Sequence, residues 1–148
     1  MPGIPAALEH SHCMHRFLWT LLAALILTAC ATGRPETIVL RQTVDGLTMT
    51  LEKPREIVSL QDYEMVITLS DAAGKPVDGA SVYLDLTMPG MTMGVNQPLA
   101  DSRGGGRYTV RAVFSMEGNW RTVVHASVAG EEYVAGFDHP VSLPSAER

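Results

Sequence analysis

Apolar and polar residues alternate one for one along most of the chain. Leu47, Met49 and Leu51 are interleaved with Thr48, Thr50 and Glu52, and Met65, Ile67 and Leu69 with Val66, Thr68 and Ser70. The same period of two runs through Val82, Leu84 and Leu86, through Tyr108, Val110, Ala112 and Phe114, and through Trp120, Thr122, Val124, Ala126 and Val128. Side chains two apart point to one face of an extended strand, so each segment is predicted as a strand with one dry and one wet side. Further strands are predicted at residues 38–43 and 133–138, with a last one near 141–143. No stretch keeps a helical period over three turns.

Turn-forming residues fall where these strands should stop: Asp45-Gly46, Asp71 to Pro76, Asp78-Gly79, Arg103 to Gly106, Glu117 to Asn119 and Ala129-Gly130. Seven or eight short strands of this kind predict an all-β fold, an immunoglobulin-like antiparallel β-sandwich, with a small barrel as the alternative. The domain is expected to span residues 38–143, with a frayed tail at 144–148. The glycines of Arg103-Gly-Gly-Gly-Arg107 read as a hairpin turn rather than a nest of amides that binds an anion.

The front of the chain has another pattern. Phe17 to Ala29 is an apolar run preceded by Arg16 and closed by Leu27-Thr-Ala-Cys30. Its length suits a signal peptide and is short for a membrane span. Leu27-Thr-Ala-Cys30 resembles the bacterial lipobox, which implies removal of residues 1–29, a covalent lipid on Cys30 and a lipidated tether at 30–37. Several acyl chains would anchor the protein stably to a membrane. Ala31 rather than Asp after Cys30 favours the outer membrane, facing the periplasm, where the host has one. The His10-Ser-His-Cys-Met-His15 cluster leaves with the leader, and Met14 is read as the true translation start.

Cleavage leaves 148 minus 29, or 119 residues, with one Arg and one Glu lost, so 10 basic and 15 acidic side chains give a net charge of −5. One domain without a basic patch is expected, and no nucleic-acid partner. With Cys30 acylated, the mature chain has no second thiol for a disulfide or a nucleophile. Two isolated histidines and no nucleophile elbow or phosphate loop predict no catalysis.

The distinctive chemistry is sulfur. Met88, Met91 and Met93 lie in Met88-Pro-Gly-Met-Thr-Met-Gly94, and Met116 opens Met116-Glu-Gly-Asn-Trp120. Thioethers prefer soft Cu(I) to hard cations. Core filling is the competing reading, because Met88 and Met116 extend two inward rows and Met fills irregular gaps. Met91 and Met93 lie outside those rows. If the strand ends coincide, Met88 and Met116 should meet at the rim of the core beneath Met91 or Met93, with Trp120 nearby.

These two segments, together with Leu99, Gly104-Gly-Gly-Arg-Tyr108 and Val124, resemble the YtkA-like and FixH-like family over about residues 62–128. The resemblance implies an extracytoplasmic, membrane-attached immunoglobulin-like domain associated with copper handling or with assembly of copper-containing respiratory oxidases. It makes Met88, Met91, Met93 and Met116 candidate copper ligands, and a copper protein or respiratory oxidase a candidate partner. The expected function is a lipid-anchored Cu(I) metallochaperone or assembly factor; the alternative is a metal-free interaction module of the cell envelope. His125 is expected on an exposed strand face, Trp120 in the core rather than over a cation, and Asp85 on a solvated face.

Overall fold

The structure, a computed structural model, describes residues 36–145. The leader and Cys30 lie outside the described residues. Eight strands follow in order: β1 (Thr37–Val44), β2 (Leu47–Pro54), β3 (Asp62–Ser70), β4 (Ser81–Thr87), β5 (Asp101–Gly104), β6 (Arg107–Val113), β7 (Gly118–Val128) and β8 (Glu131–Val141). They form two antiparallel sheets, one of five strands in the order β1-β2-β3-β6-β5 and one of three in the order β4-β7-β8. The fold is an all-β sandwich, with a strand count at the upper end of the expected range.

The alternating rows become the two inner faces. Leu47, Met49, Leu51, Met65, Ile67, Leu69, Tyr108, Val110 and Ala112 face Val82, Leu84, Leu86, Trp120, Val124, Ala126, Ala135 and Phe137, all buried. At about 25 cal/mol per Å² of apolar surface, this core is the main source of stability. One inward position carries a charge, since Lys53 continues the row of Leu47, Met49 and Leu51 and is buried. Its Nζ donates to the Pro54 carbonyl at 3.0 Å, and burial lowers its pKa.

Three departures from the sequence pattern have local causes. β5 was not foreseen: its four residues are all exposed, so no alternation marks it. Residues 133–138 and 141 belong to one strand, β8, which runs through Pro140. Pro140 is tolerated because β8 is an edge strand and needs no donor on its outer side. β6 ends at Val113, opposite Asp62, so Met116 does not continue the inward row and is 41% exposed.

The predicted hairpin glycines turn between β5 and β6, all three with positive φ. The Gly106 amide donates to Asp78 Oδ1 at 2.7 Å, and a Cβ at Gly106 would approach the Leu69 carbonyl to 2.5 Å. After β4 the chain doubles back along that strand. Leu86 N donates to Asn96 O, Leu84 N to Pro98 O, and Ala100 N to Val82 O. Residues 88–95 thus form the tip of a wide loop.

Candidate functional site

All four methionines lie at one end of the sandwich. Met88-Pro89-Gly90-Met91 is a tight turn in which Met91 N donates to Met88 O at 3.1 Å and Gly90 has φ +82°. Pro at the second position and a positive-φ Gly at the third are the signature of a type II turn. Met88 is half-buried against the core, and a Cβ placed on Gly118 would collide with its Cε. Gly118, with φ +135°, therefore makes room for the thioether as well as for the backbone. Gly118→Ala is expected to cost about 1–2 kcal/mol and displace Met88, measured by urea unfolding.

Met91 and Met93 line one groove of about 330 Å³, together with Asp85, Thr87, Thr92, Gly94, Val95 and Gln97. Met91 is 52% exposed, while Met93 is half-buried and also touches the core. Asp85 lies on the outward face of β4, as expected, but is half-buried there because the 91–97 segment folds over it. The groove thus joins two thioethers to one carboxylate. Met88 and Met116 lie outside its lining.

Met116 is held through its backbone. Trp120 Nε1 donates to the Met116 carbonyl at 3.0 Å, and the indole, fully buried, meets Phe114 edge-on at 5.2 Å. The Val113 carbonyl accepts a hydrogen bond from Asn96 Nδ2 at 3.3 Å, which ties the end of β6 to the Met loop. Met88, the Met91–Met93 groove and Met116 are therefore brought to one rim, in two subsets. Trp120 is a core residue, as expected, and positions Met116 as well.

The rim also brings together His139 and Lys53, a proximity that no single strand shows. His139 pairs with Trp120 across β7 and β8, is only 5% exposed, and its Nε2 shares a hydrogen bond with Thr122 Oγ1 at 2.8 Å. Its Nδ1 has no partner among the described residues. Burial first, and then the positive charge of Lys53, lower its pKa to about 4. Beside it Arg121 grips Asp138 through two hydrogen bonds of 2.7 and 2.8 Å, which lower the Asp138 pKa and raise that of Arg121. The legible signal for Lys53 was a charge inside an apolar row.

His125 lies on the outer face but is less exposed than expected. Its ring stacks on Tyr83 with centroids 4.4 Å apart, and Nδ1 is 2.9 Å from Glu132 Oε1. It stands away from the methionines, opposite Val134 rather than at the strand end. Among the described residues no group of three His, Cys, Asp or Glu could hold a metal, and no helix is long and apolar enough to cross a membrane.

Comparison with known proteins places this geometry in context. The YtkA-like family matches residues 41–125. No curated protein matches the chain. Among solved structures, the soluble domain of PmoD from Methylocystis sp. (Rockwell) is similar over 71% of this chain and 98% of its own, with 15% identity and a TM-score of 0.48.

Proposed function

The chain belongs to the YtkA-like family, and on that premise we propose that it is a lipid-anchored, extracytoplasmic protein that binds and passes Cu(I) as cargo. Anchoring would come from acylated Cys30, with the outer membrane facing the periplasm as its place. The observation that carries the copper reading is the shared groove of Met91 and Met93 at a rim that also bears Met88 and Met116. Core filling explains Met88, which packs on Gly118, but not a half-exposed Met91. Soft, neutral sulfur donors suit Cu(I) and leave hard cations unfavoured. Exposure of the groove suits transfer to a copper protein or respiratory oxidase.

The alternative, a metal-free interaction module, is favoured by one observation: Leu60, Val95 and Val113 stand exposed at the same end. Titrating the acylated mature protein with Cu(I) against a competing chelator separates the two. Met91→Leu with Met93→Leu keeps the apolar bulk and removes the sulfurs, so affinity is expected to fall at least roughly tenfold, or about 1.4 kcal/mol, with the fold intact. Equal affinity in wild type and variant would remove Met91 and Met93 from the site. Absence of Cu(I) binding by the wild type would give the domain to the interaction reading.

A further inference from the structure

The two ends of the sandwich differ sharply in polarity. Among the described residues nine large hydrophobic side chains are exposed, and six of them (Leu60, Met91, Val95, Val113, Met116 and Leu143) lie at the methionine end. Ladder partners and loop hydrogen bonds place them together. Asp62 pairs with Val113, Leu60 N donates to Phe114 O, Ser59 N to Ser142 O, and Asn96 reaches Val113 O. The other three, Val39, Leu99 and Val134, lie along the sides. The opposite end is built from Asp45-Gly46, Asp71 to Gly79, Gly104 to Gly106 and Ala129-Gly130, and exposes no large hydrophobic residue. Leu60 even holds a left-handed backbone, φ 64°, which is uncommon for a non-glycine residue.

The chain enters the domain at that same apolar end. Thr37 pairs with Pro54, and Arg55 N donates to Glu36 O at 2.7 Å, beside the loop that carries Leu60. Cys30 is six residues before Glu36, a reach of at most roughly 20 Å. An anchor at Cys30 would thus hold the apolar end, not the polar one, within a tether length of the leaflet.

We propose that the methionine end is the membrane-facing end, with Leu60, Val95, Val113 and Met116 resting in the interfacial layer of the leaflet that carries the anchor. This rests on the lipid anchor of the proposed function and is independent of copper. Charge argues for neutral lipid as the occupant. Arg55 pairs with Glu36, Arg111 with Asp62 and Arg121 with Asp138, at 2.8, 2.9 and 2.7 Å. No unpaired basic cluster is left there among the described residues to draw anionic headgroups, so contact would come from apolar burial, which is insensitive to salt.

The test uses the acylated full-length mature protein in phosphatidylcholine vesicles. Leu60→Cys, Val95→Cys and, at the far end, Ala73→Cys are each labelled with an environment-sensitive fluorophore and challenged with lipids spin-labelled near the headgroup. Quenching at positions 60 and 95 is expected to be at least roughly threefold stronger than at 73, and unchanged by salt. Flotation and the acyl mass on Cys30 are read in parallel. Loss of both removes the anchor and the proposal together. Vesicle-bound protein with equal quenching at both ends overturns the orientation alone. Shielding at 60 and 95 that grows with protein-to-lipid ratio and ignores the spin labels would assign this end to a second copy and overturn the lipid contact.

Discussion

Replacing Trp120 with alanine is expected to destabilise the domain by roughly 3–5 kcal/mol and to release the Met116 segment in the same step. The indole is fully buried between the sheets and meets the Phe114 ring edge-on at 5.2 Å. Truncation removes its transfer energy and leaves a cavity that neighbouring rigid strands fill only in part. Its Nε1–H also holds the Met116 carbonyl at 3.0 Å, so the turn into β7 loses its inner tie. Trp120→Phe separates the contributions, because it keeps most of the apolar bulk and deletes the donor. It should cost about 1–2 kcal/mol while amide exchange near Met116 and Glu117 rises almost as much as in the alanine variant. Equal stability losses in the two variants would contradict a packing role for the ring. Unchanged exchange in both would contradict its hold on Met116.

Acidification is expected to weaken the fold between about pH 6.5 and about pH 4, by up to roughly 3 kcal/mol, through His139. Folded His139 takes a proton only near pH 4, whereas the unfolded chain takes it near the ordinary value of 6.5. The unfolded state therefore binds more protons in this window. Stability is full above 6.5, falls as pH drops, and levels off below 4. The cause is structural: the ring is packed against Phe114 at 5.2 Å, bonded to Thr122, and faced by the buried Lys53 ammonium. Asp138, whose pKa is lowered by Arg121, also loses stability in acid, but only below its ordinary value of 3.8. The two windows can therefore be distinguished. Urea midpoints at pH 7, 5.5 and 4.5 should decline for the wild type and stay nearly level for His139→Leu. A wild-type midpoint that is flat across this range would refute the assignment.

The inner faces were legible because a strand in a two-sheet sandwich must alternate, and Leu47-Met49-Leu51, Met65-Ile67-Leu69 and Val82-Leu84-Leu86 keep an apolar residue at every second position, with Val66 and Tyr83 the apolar intruders on the outer face. β5 was not, since Asp101-Ser-Arg-Gly104 buries nothing and is a strand only because β6 offers it a ladder. Met116 was misplaced by carrying the parity of β6 past its last rung at Val113. The Met88–Met93 loop was legible as chemistry but not as geometry. Its fold over Asp85 depends on the return of residues 96–100 along β4, a pairing that no short-range pattern encodes. Lys53 and His139 were each visible, but their proximity arises across sheets. No single strand announces it.

The return of residues 96–100 along β4 also has an entropic consequence. The Leu86 N to Asn96 O bond closes the methionine loop, and the Met88 to Met91 turn pins it again inside. The backbone freedom of residues 88–91, worth of order 1–2 kcal/mol per residue, has been surrendered at folding rather than at binding. A ligand arriving at Met91 has mainly side-chain rotamers left to fix there, so the deduction for ordering the chain at that residue is small.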